Sequence, residues 1–120
     1  MSPTVSVLLP AYNAADTLAA ALETLLHQTL QTFEVVLVDD GSEDDTGRIA
    51  EAFAAMDRRI RPVRSPHLGL VGALNLGLSR ARGALIARMD ADDLSLPDRL
   101  ERQTAFLRHR PDVCLAGCLI

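Results

Sequence analysis

Five short apolar runs, separated by stretches of helical periodicity, set the pattern of this chain. The first, TVSVLLP at residues 4–10, is a continuous β-branched and aliphatic run. It predicts a strand near 4–9 covered on both faces. FEVVLVDD at 33–40 predicts a second buried strand, near 34–38, that ends in acids. RIRPVR at 59–64 is a short third strand, pushed toward a sheet edge by Pro62. ALIARMD at 84–90 predicts a fourth strand, buried in character, near 84–89, and DVCLAGCLI at 112–120 a fifth.

Between these runs the apolar period changes. Leu18, Leu22, Leu25 and Leu26 recur at helical spacing, with Asp16 placed as an N-cap. Residues 41–56 turn at Gly41 and Ser42 and enter a helix with Ile49, Ala52, Phe53 and Met56 on one stripe. GLVGALNLGLSRARG predicts a small-residue helix closing at Gly83, and Pro97 is placed in the first turn of a fourth helix over 97–110. Strict β-α alternation with short connections predicts an α/β fold: three αβα layers around a mainly parallel sheet.

Composition narrows the class without naming it. The chain has 120 residues, 48% hydrophobic and 23% charged, with a net charge of −4 and a pI near 5.2. That balance is ordinary for a globular domain and gives no pull toward nucleic acid. All 12 basic residues are arginine, so chemistry that needs a catalytic lysine is excluded. No signal peptide is expected, because the apolar start at 5–9 is short and lacks basic residues before it. Cys114 and Cys118 would lie about 13 Å apart on one strand face, too far for a mutual disulfide. Free thiols fit a reducing, cytoplasmic location. The apolar run that ends at Ile120 raises the expectation of a longer parent protein.

The chemistry gathers where strands end. In open parallel sheets, ligands bind beyond the carboxyl ends of the strands. The first strand delivers Pro10, Ala11, Tyr12 and Asn13, and the second Asp39, Asp40, Gly41 and Ser42. Glu43, Asp44 and Asp45 follow closely, and the fourth strand delivers Asp90, Asp92 and Asp93. Eight of the 16 acidic residues thus fall at two strand ends. Taken singly, each group also reads as an Asx turn, a helix cap or a solvated turn. His27, His67 and His109 show no ligand spacing and read as solvated or capping residues.

Crowded carboxylates repel one another unless a cation stands between them. Oxygen ligands favour Mg2+ or Mn2+, which commonly completes its shell with water and phosphate. The chain has neither G-x-G-x-x-G after its first strand nor a G-x-x-x-x-G-K-[ST] loop. An ordinary dinucleotide fold is disfavoured and a P-loop excluded. The composite is a metal-dependent nucleotide-diphosphate site, with a pocket expected between Tyr12, Asp40 and Asp90.

VSVLLPAYNAADTL, VVLVDDGSEDDT and ARMDADDLSLPDRLERQ, in this order, closely resemble family 2 glycosyltransferases of GT-A fold. The resemblance covers nearly the whole chain and implies the Rossmann-like, nucleotide-sugar-binding half of such an enzyme. It implies that Pro10, Ala11 and Tyr12 line the base and that Asp40 binds it, supported by Asp39. Asp90 would approach the ribose or sugar, Asp92 would ligate Mn2+ or Mg2+, and Asp93 would stand behind it. Arg64 or Arg88 would face phosphate.

The implied activity is inverting transfer of a sugar, with a UDP-sugar as the leading donor and a glycan or lipid-linked molecule as acceptor. Cell-surface polysaccharide synthesis is the implied setting, in the cytoplasm or at the membrane periphery. The general base would lie beyond Ile120, so the 120 residues would bind donor without transferring. Two alternatives stand beside this: a non-catalytic nucleotide-binding module, and a phosphatase that forms an aspartyl-phosphate on DADDL. The second lacks Thr or Val at Leu94 and any lysine for phosphate.

Overall fold

The computed structural model describes residues 3–109. Four strands and four helices alternate: β1 (Val5–Ala11), α1 (Leu18–Leu26), β2 (Phe33–Asp40), α2 (Thr46–Met56), β3 (Ile60–Ser65), α3 (Gly69–Arg80), β4 (Leu85–Arg88) and α4 (Arg99–His109). The strands form one sheet in the order β3-β2-β1-β4, every pair parallel. β1 and β2 are central and pair along their length, from Val5 with Phe33 to Ala11 with Asp39. Their unbroken apolar character follows, because helices cover both faces.

One core holds Val5, Val7, Leu9, Val35 and Leu37 from the sheet against Leu18, Leu22 and Leu25 of α1, Phe53 of α2 and Leu100 of α4. The other face, Leu8, Val36 and Val38, packs on Ala73 of α3. Three αβα layers result, as the alternation predicts. Gly77 of α3 faces this core, where a Cβ would stand in ordinary contact with Val38 and Leu8. No helix among the described residues is long and apolar enough to cross a membrane. The expected fifth strand at 112–120, with Cys114 and Cys118, lies outside the described residues.

The structure departs from the expected pattern in four places. Asp16 does not cap α1: Thr17 precedes the helix without a side-chain cap bond, and the first turn closes on the Ala14 carbonyl instead. The buried stripe of α2 is Thr46, Ala50 and Phe53, while Ala52 and Met56 face outward. Thr46 is drawn inward because its hydroxyl accepts the Ala14 N–H at 2.8 Å. Pro97 lies two residues before α4, its carbonyl accepting the Thr29 N–H. The buried Gln28 fixes this junction by accepting from Leu100 N–H and donating to the Leu96 carbonyl. Finally, β4 is half open rather than buried, with Ile86 exposed, because α3 sits over β1 and β2.

β4 enters the sheet through a tight contact at Gly83. Its N–H donates to Ser6 Oγ at 2.8 Å, and a Cβ would stand 2.7 Å from Ser6 N and 2.8 Å from Val5 C. Backbone atoms cannot move aside as a side-chain tip can. Gly83→Ala is therefore expected to cost about 1–3 kcal/mol, the usual penalty of overpacking. Urea unfolding measures it, and a midpoint equal to the parent's would contradict the contact.

Candidate nucleotide and metal site

Because every strand runs the same way, the carboxyl ends of β1, β2, β3 and β4 share one rim. Two loops on that rim are stitched together. Asn13 N–H donates to Ser42 Oγ at 2.9 Å, and Glu43 N–H donates to Asn13 Oδ1 at 2.9 Å. Ala15 N–H donates to Asp44 Oδ2 at 3.1 Å. Asn13 sits at φ 48°, a left-handed conformation that asparagine tolerates better than most residues. Asp44 also accepts from the Thr46 hydroxyl and N–H, and chiefly the hydroxyl holds its carboxyl below the usual range. Asp44 is thus occupied as loop structure.

Asp39 and Asp40 are both buried and point to opposite faces of the sheet, as neighbours on a strand must. Asp39 accepts from Ser42 N–H at 3.1 Å and pairs with Arg64 at 3.3 Å. Asp40 holds the turn into α3. Its Oδ1 accepts from Leu68 N–H at 2.7 Å and the Ser65 hydroxyl at 3.1 Å. Its Oδ2 accepts from Gly69 N–H at 3.0 Å and lies 3.2 Å from His67 Nδ1. Burial pushes the Asp40 carboxyl up, but these donors outweigh it and hold the group below its ordinary value.

Asp90, Asp92 and Asp93 converge after β4, each offering an oxygen within 4.8 Å of the others'. Asp90 is paired with Arg88 at 3.2 Å, and Asp93 accepts the Asp90 N–H at 3.0 Å. Among the described residues no hydrogen bond or ion pair engages the Asp92 side chain, which is exposed. A cavity of about 210 Å³ beside the cluster is lined by Arg88, Met89, Asp90 and Asp93. All donors here are hard oxygens at a spacing one divalent ion can bridge, so the residues fit Mg2+ or Mn2+.

This geometry has relatives. Residues 6–119 match the model of the family described as Glycosyl transferase family 2. The chain belongs to that family. EpsE of Bacillus subtilis strain 168, which carries a glycosyltransferase name, is 46% identical over 111 residues, spanning 90% of this chain and 40% of EpsE. Glycosyltransferase GlyG of Streptococcus pneumoniae is 39% identical over 102 residues, 84% of this chain and 34% of GlyG. The chain thus spans well under half the length of these curated relatives. Among solved structures, the mannosyltransferase PcManGT of Pyrobaculum calidifontis, in complex with GDP-Man and Mn2+, superposes with a TM-score of 0.79 at 28% identity. That match covers 89% of this chain and 33% of PcManGT. Staphylococcus aureus TarS 1-349 with UDP-GlcNAc gives 0.78 at 28% identity, covering 89% and 32%. The fold is that of GT-A glycosyltransferases.

In this family 2 chain the rim gathers most of the residues that the sequence singles out, but not in equal readiness. Tyr12 is 47% exposed and Pro10 half-buried, whereas Ala11 is buried in the core, so only its backbone can reach a ligand. Arg64 is turned onto Asp39 and Arg88 onto Asp90. A second cavity, about 180 Å³, lies between α2 and β3 and is bordered by Asp39 and Arg64. Neither cavity joins Tyr12, Asp40 and Asp90. His67, expected to be solvated or capping, is exposed, bonds the Asp40 main-chain carbonyl through Nδ1 at 3.2 Å and lies on Tyr12, ring centroids 4.2 Å apart. Its spacing in sequence carries no signal, but a place two residues past β3 puts it on the ligand rim.

Proposed function

We propose that this chain is the donor-binding part of an enzyme that transfers a sugar from a nucleotide-diphosphate sugar to an acceptor hydroxyl. The observation that carries the reading is the convergence of Asp90, Asp92 and Asp93 on the rim that also bears Tyr12, Asp39 and Asp40. Asp92 and Asp90 would hold Mn2+ or Mg2+, with Asp93 fixing the Asp90 backbone behind them. A divalent ion there supplies charge to stabilise a departing diphosphate. Tyr12, Pro10 and the Ala11 backbone would face the base and Asp40 would bind it, with Asp39 supporting the loop beside it. The donors named in the PcManGT and TarS complexes support a nucleotide-sugar ligand. Family membership sets the phosphatase alternative aside.

Inversion needs a carboxylate that takes the acceptor proton. Of the acids described on this rim, Asp39, Asp40 and Asp44 are bonded within the loops and Asp90, Asp92 and Asp93 form the cluster, while the exposed Glu43 carboxylate has no bond among the described residues. The chain spans 40% of EpsE and 30% of EpsJ, and on this reading the base lies in the part it does not span, so the 120 residues alone would bind donor without transfer. A role in cell-surface polysaccharide synthesis, on a glycan or lipid-linked acceptor, is the setting we infer. A thermal-shift panel of UDP-, GDP-, dTDP- and CMP-sugars tests the reading, since a ligand stabilises the state it binds. The expected outcome is a rise in melting temperature with a UDP-sugar plus Mn2+, and none with Mn2+ and chelator. Turnover by this chain that depends on an acid within it would overturn the donor-only assignment.

A further inference from the structure

Arg99 stands in an unfavourable place for an arginine. It is the first residue of α4, where the helix dipole favours acids over cations. Nor does it neutralise a charge. Among the described residues its guanidinium makes no ion pair, although three carboxylates lie in the loop just before it. It is directed at two neutral acceptors instead. Nη1 donates to Ser95 Oγ at 3.0 Å, and Nη2 donates to the Arg88 carbonyl at 2.8 Å.

Arg88 and Ser95 are the two ends of the segment that carries Asp90, Asp92 and Asp93. One side chain therefore ties that loop shut. The Ser95 hydroxyl donates to Met89 Sδ at 3.3 Å, a second contact across the same gap. Both ends are anchored in turn: Met89 N–H donates to the Leu8 carbonyl and Ser95 N–H to the Thr24 hydroxyl. Leu100, next to Arg99, is buried in the same core as Met89, so the tie has a fixed root. Inside the closed loop, Asp93 N–H donates to the Asp90 carbonyl at 3.1 Å. The outcome is three acid oxygens within 4.8 Å of one another, an arrangement their repulsion would otherwise spread.

We infer that Arg99 is the positioning residue of the acid cluster: its guanidinium joins Arg88 to Ser95 and so holds Asp90, Asp92 and Asp93 convergent for a divalent cation. The inference rests on the metal reading above and deepens it. A loop ordered in advance loses little further freedom when the ion arrives, which strengthens binding. Arginine suits the task because its planar fork presents several N–H groups in fixed directions, whereas lysine offers one nitrogen. Direct electrostatics pushes the other way. A guanidinium near a cation site repels the cation, so removing a bystander arginine would tighten Mn2+ binding. Positioning predicts the opposite sign.

The test is titration of the 120-residue chain with Mn2+ alone, followed by the paramagnetic resonance signal of free Mn2+, beside an unliganded melting curve. Arg99→Gln is expected to weaken Mn2+ binding by about tenfold or more, the usual effect of losing a group that orients metal ligands. Arg102→Gln is the matched control. It removes the same charge from the same helix, and Arg102 pairs with Asp98 at 3.5 Å. Its Mn2+ affinity should stay level or rise slightly. Ser95→Ala cuts one arm of the tie without changing any charge, and it too should weaken Mn2+ binding. A purely structural arginine would move the melting temperature and leave the Mn2+ affinity of the folded protein unchanged.

Arg99→Gln binding Mn2+ as tightly as the parent, or more tightly, overturns the inference and leaves the donor site standing. Where that variant does not fold, parent-like binding by Ser95→Ala overturns it equally. The same loss in Arg102→Gln also overturns it, because charge and not the tie would then be the cause. Asp92→Asn that binds Mn2+ like the parent overturns the metal reading and the inference together. A parent that takes up no Mn2+ by itself overturns the inference, while titration with UDP plus Mn2+ still decides the donor site.

Discussion

Replacement of Glu34 by alanine is expected to destabilise the protein by about 3–5 kcal/mol, the usual cost of stripping one partner from a buried ionic network. Glu34 lies near the start of β2, at the end of the sheet away from the rim, and is 2% exposed. Ser6 donates its hydroxyl to Oε2 at 2.5 Å, and Arg82 N–H donates to the same oxygen at 2.7 Å. The Arg82 guanidinium reaches Oε1 at 3.1 Å, and Arg61 binds that oxygen as well. Ser6 in turn receives Gly83 N–H, so one carboxylate ties β1, β3 and the turn that leads into β4. Without it, two guanidinium groups and a buried hydroxyl lose their acceptor. Glu34→Gln should cost less, because an amide oxygen still accepts. Chemical denaturation gives the difference, and an alanine variant within about 1 kcal/mol of the parent would contradict the network's role.

The same group sets a pH dependence. Burial raises the Glu34 carboxyl, yet the Ser6 hydroxyl, the Arg82 N–H and the two guanidinium groups outweigh that and hold it at about 2, against 4.5 unperturbed. A carboxylate whose pKa is depressed in the folded state stabilises fully above its unfolded value. That contribution, about 3 kcal/mol by linkage, is lost as pH falls from about 4.5 toward about 2. The parent should lose stability steeply over this window, and Glu34→Gln should do so less.

Asp92→Asn is the second large effect, and it is expected in binding instead of stability. Loss of a ligating carboxylate should weaken Mn2+-dependent UDP binding by more than about a hundredfold, since even partners behind the ligands are worth 10–100-fold. Asp92 is exposed, and no hydrogen bond or ion pair among the described residues engages its side chain. Removing its charge relieves repulsion with Asp90 and Asp93, so the unliganded melting temperature should stay level or rise slightly. Calorimetry and a melting curve read the two halves separately. Unchanged affinity in the Asn variant would defeat the metal assignment, as would UDP binding by the parent that ignores a chelator.

The strands, their parallel arrangement and the acidic rim were legible because they are local properties of the chain. A continuous aliphatic run such as FEVVLVDD can be satisfied only between two helical layers, and β-α alternation then puts every strand's end on one side. Asp39, Asp40, Asp90, Asp92 and Asp93 follow from their places just past those runs. The helix stripes were less secure, since the face α2 buries was settled by Thr46 reaching Ala14 in another loop.

What only the tertiary structure decided are the pairings between residues far apart in sequence. Glu34 meets Arg82 across 48 positions, and Asp40 meets Leu68 across 28. Sequence shows an acid in a strand and cannot say whether it is spent on protein donors or left for a ligand. Here the Asp40 carboxylate accepts three hydrogen bonds from the protein, whereas among the described residues none engages Asp92. That difference arises because a buried carboxylate must gather its donors from whichever elements the fold brings beside it, whereas an exposed one can wait for a cation.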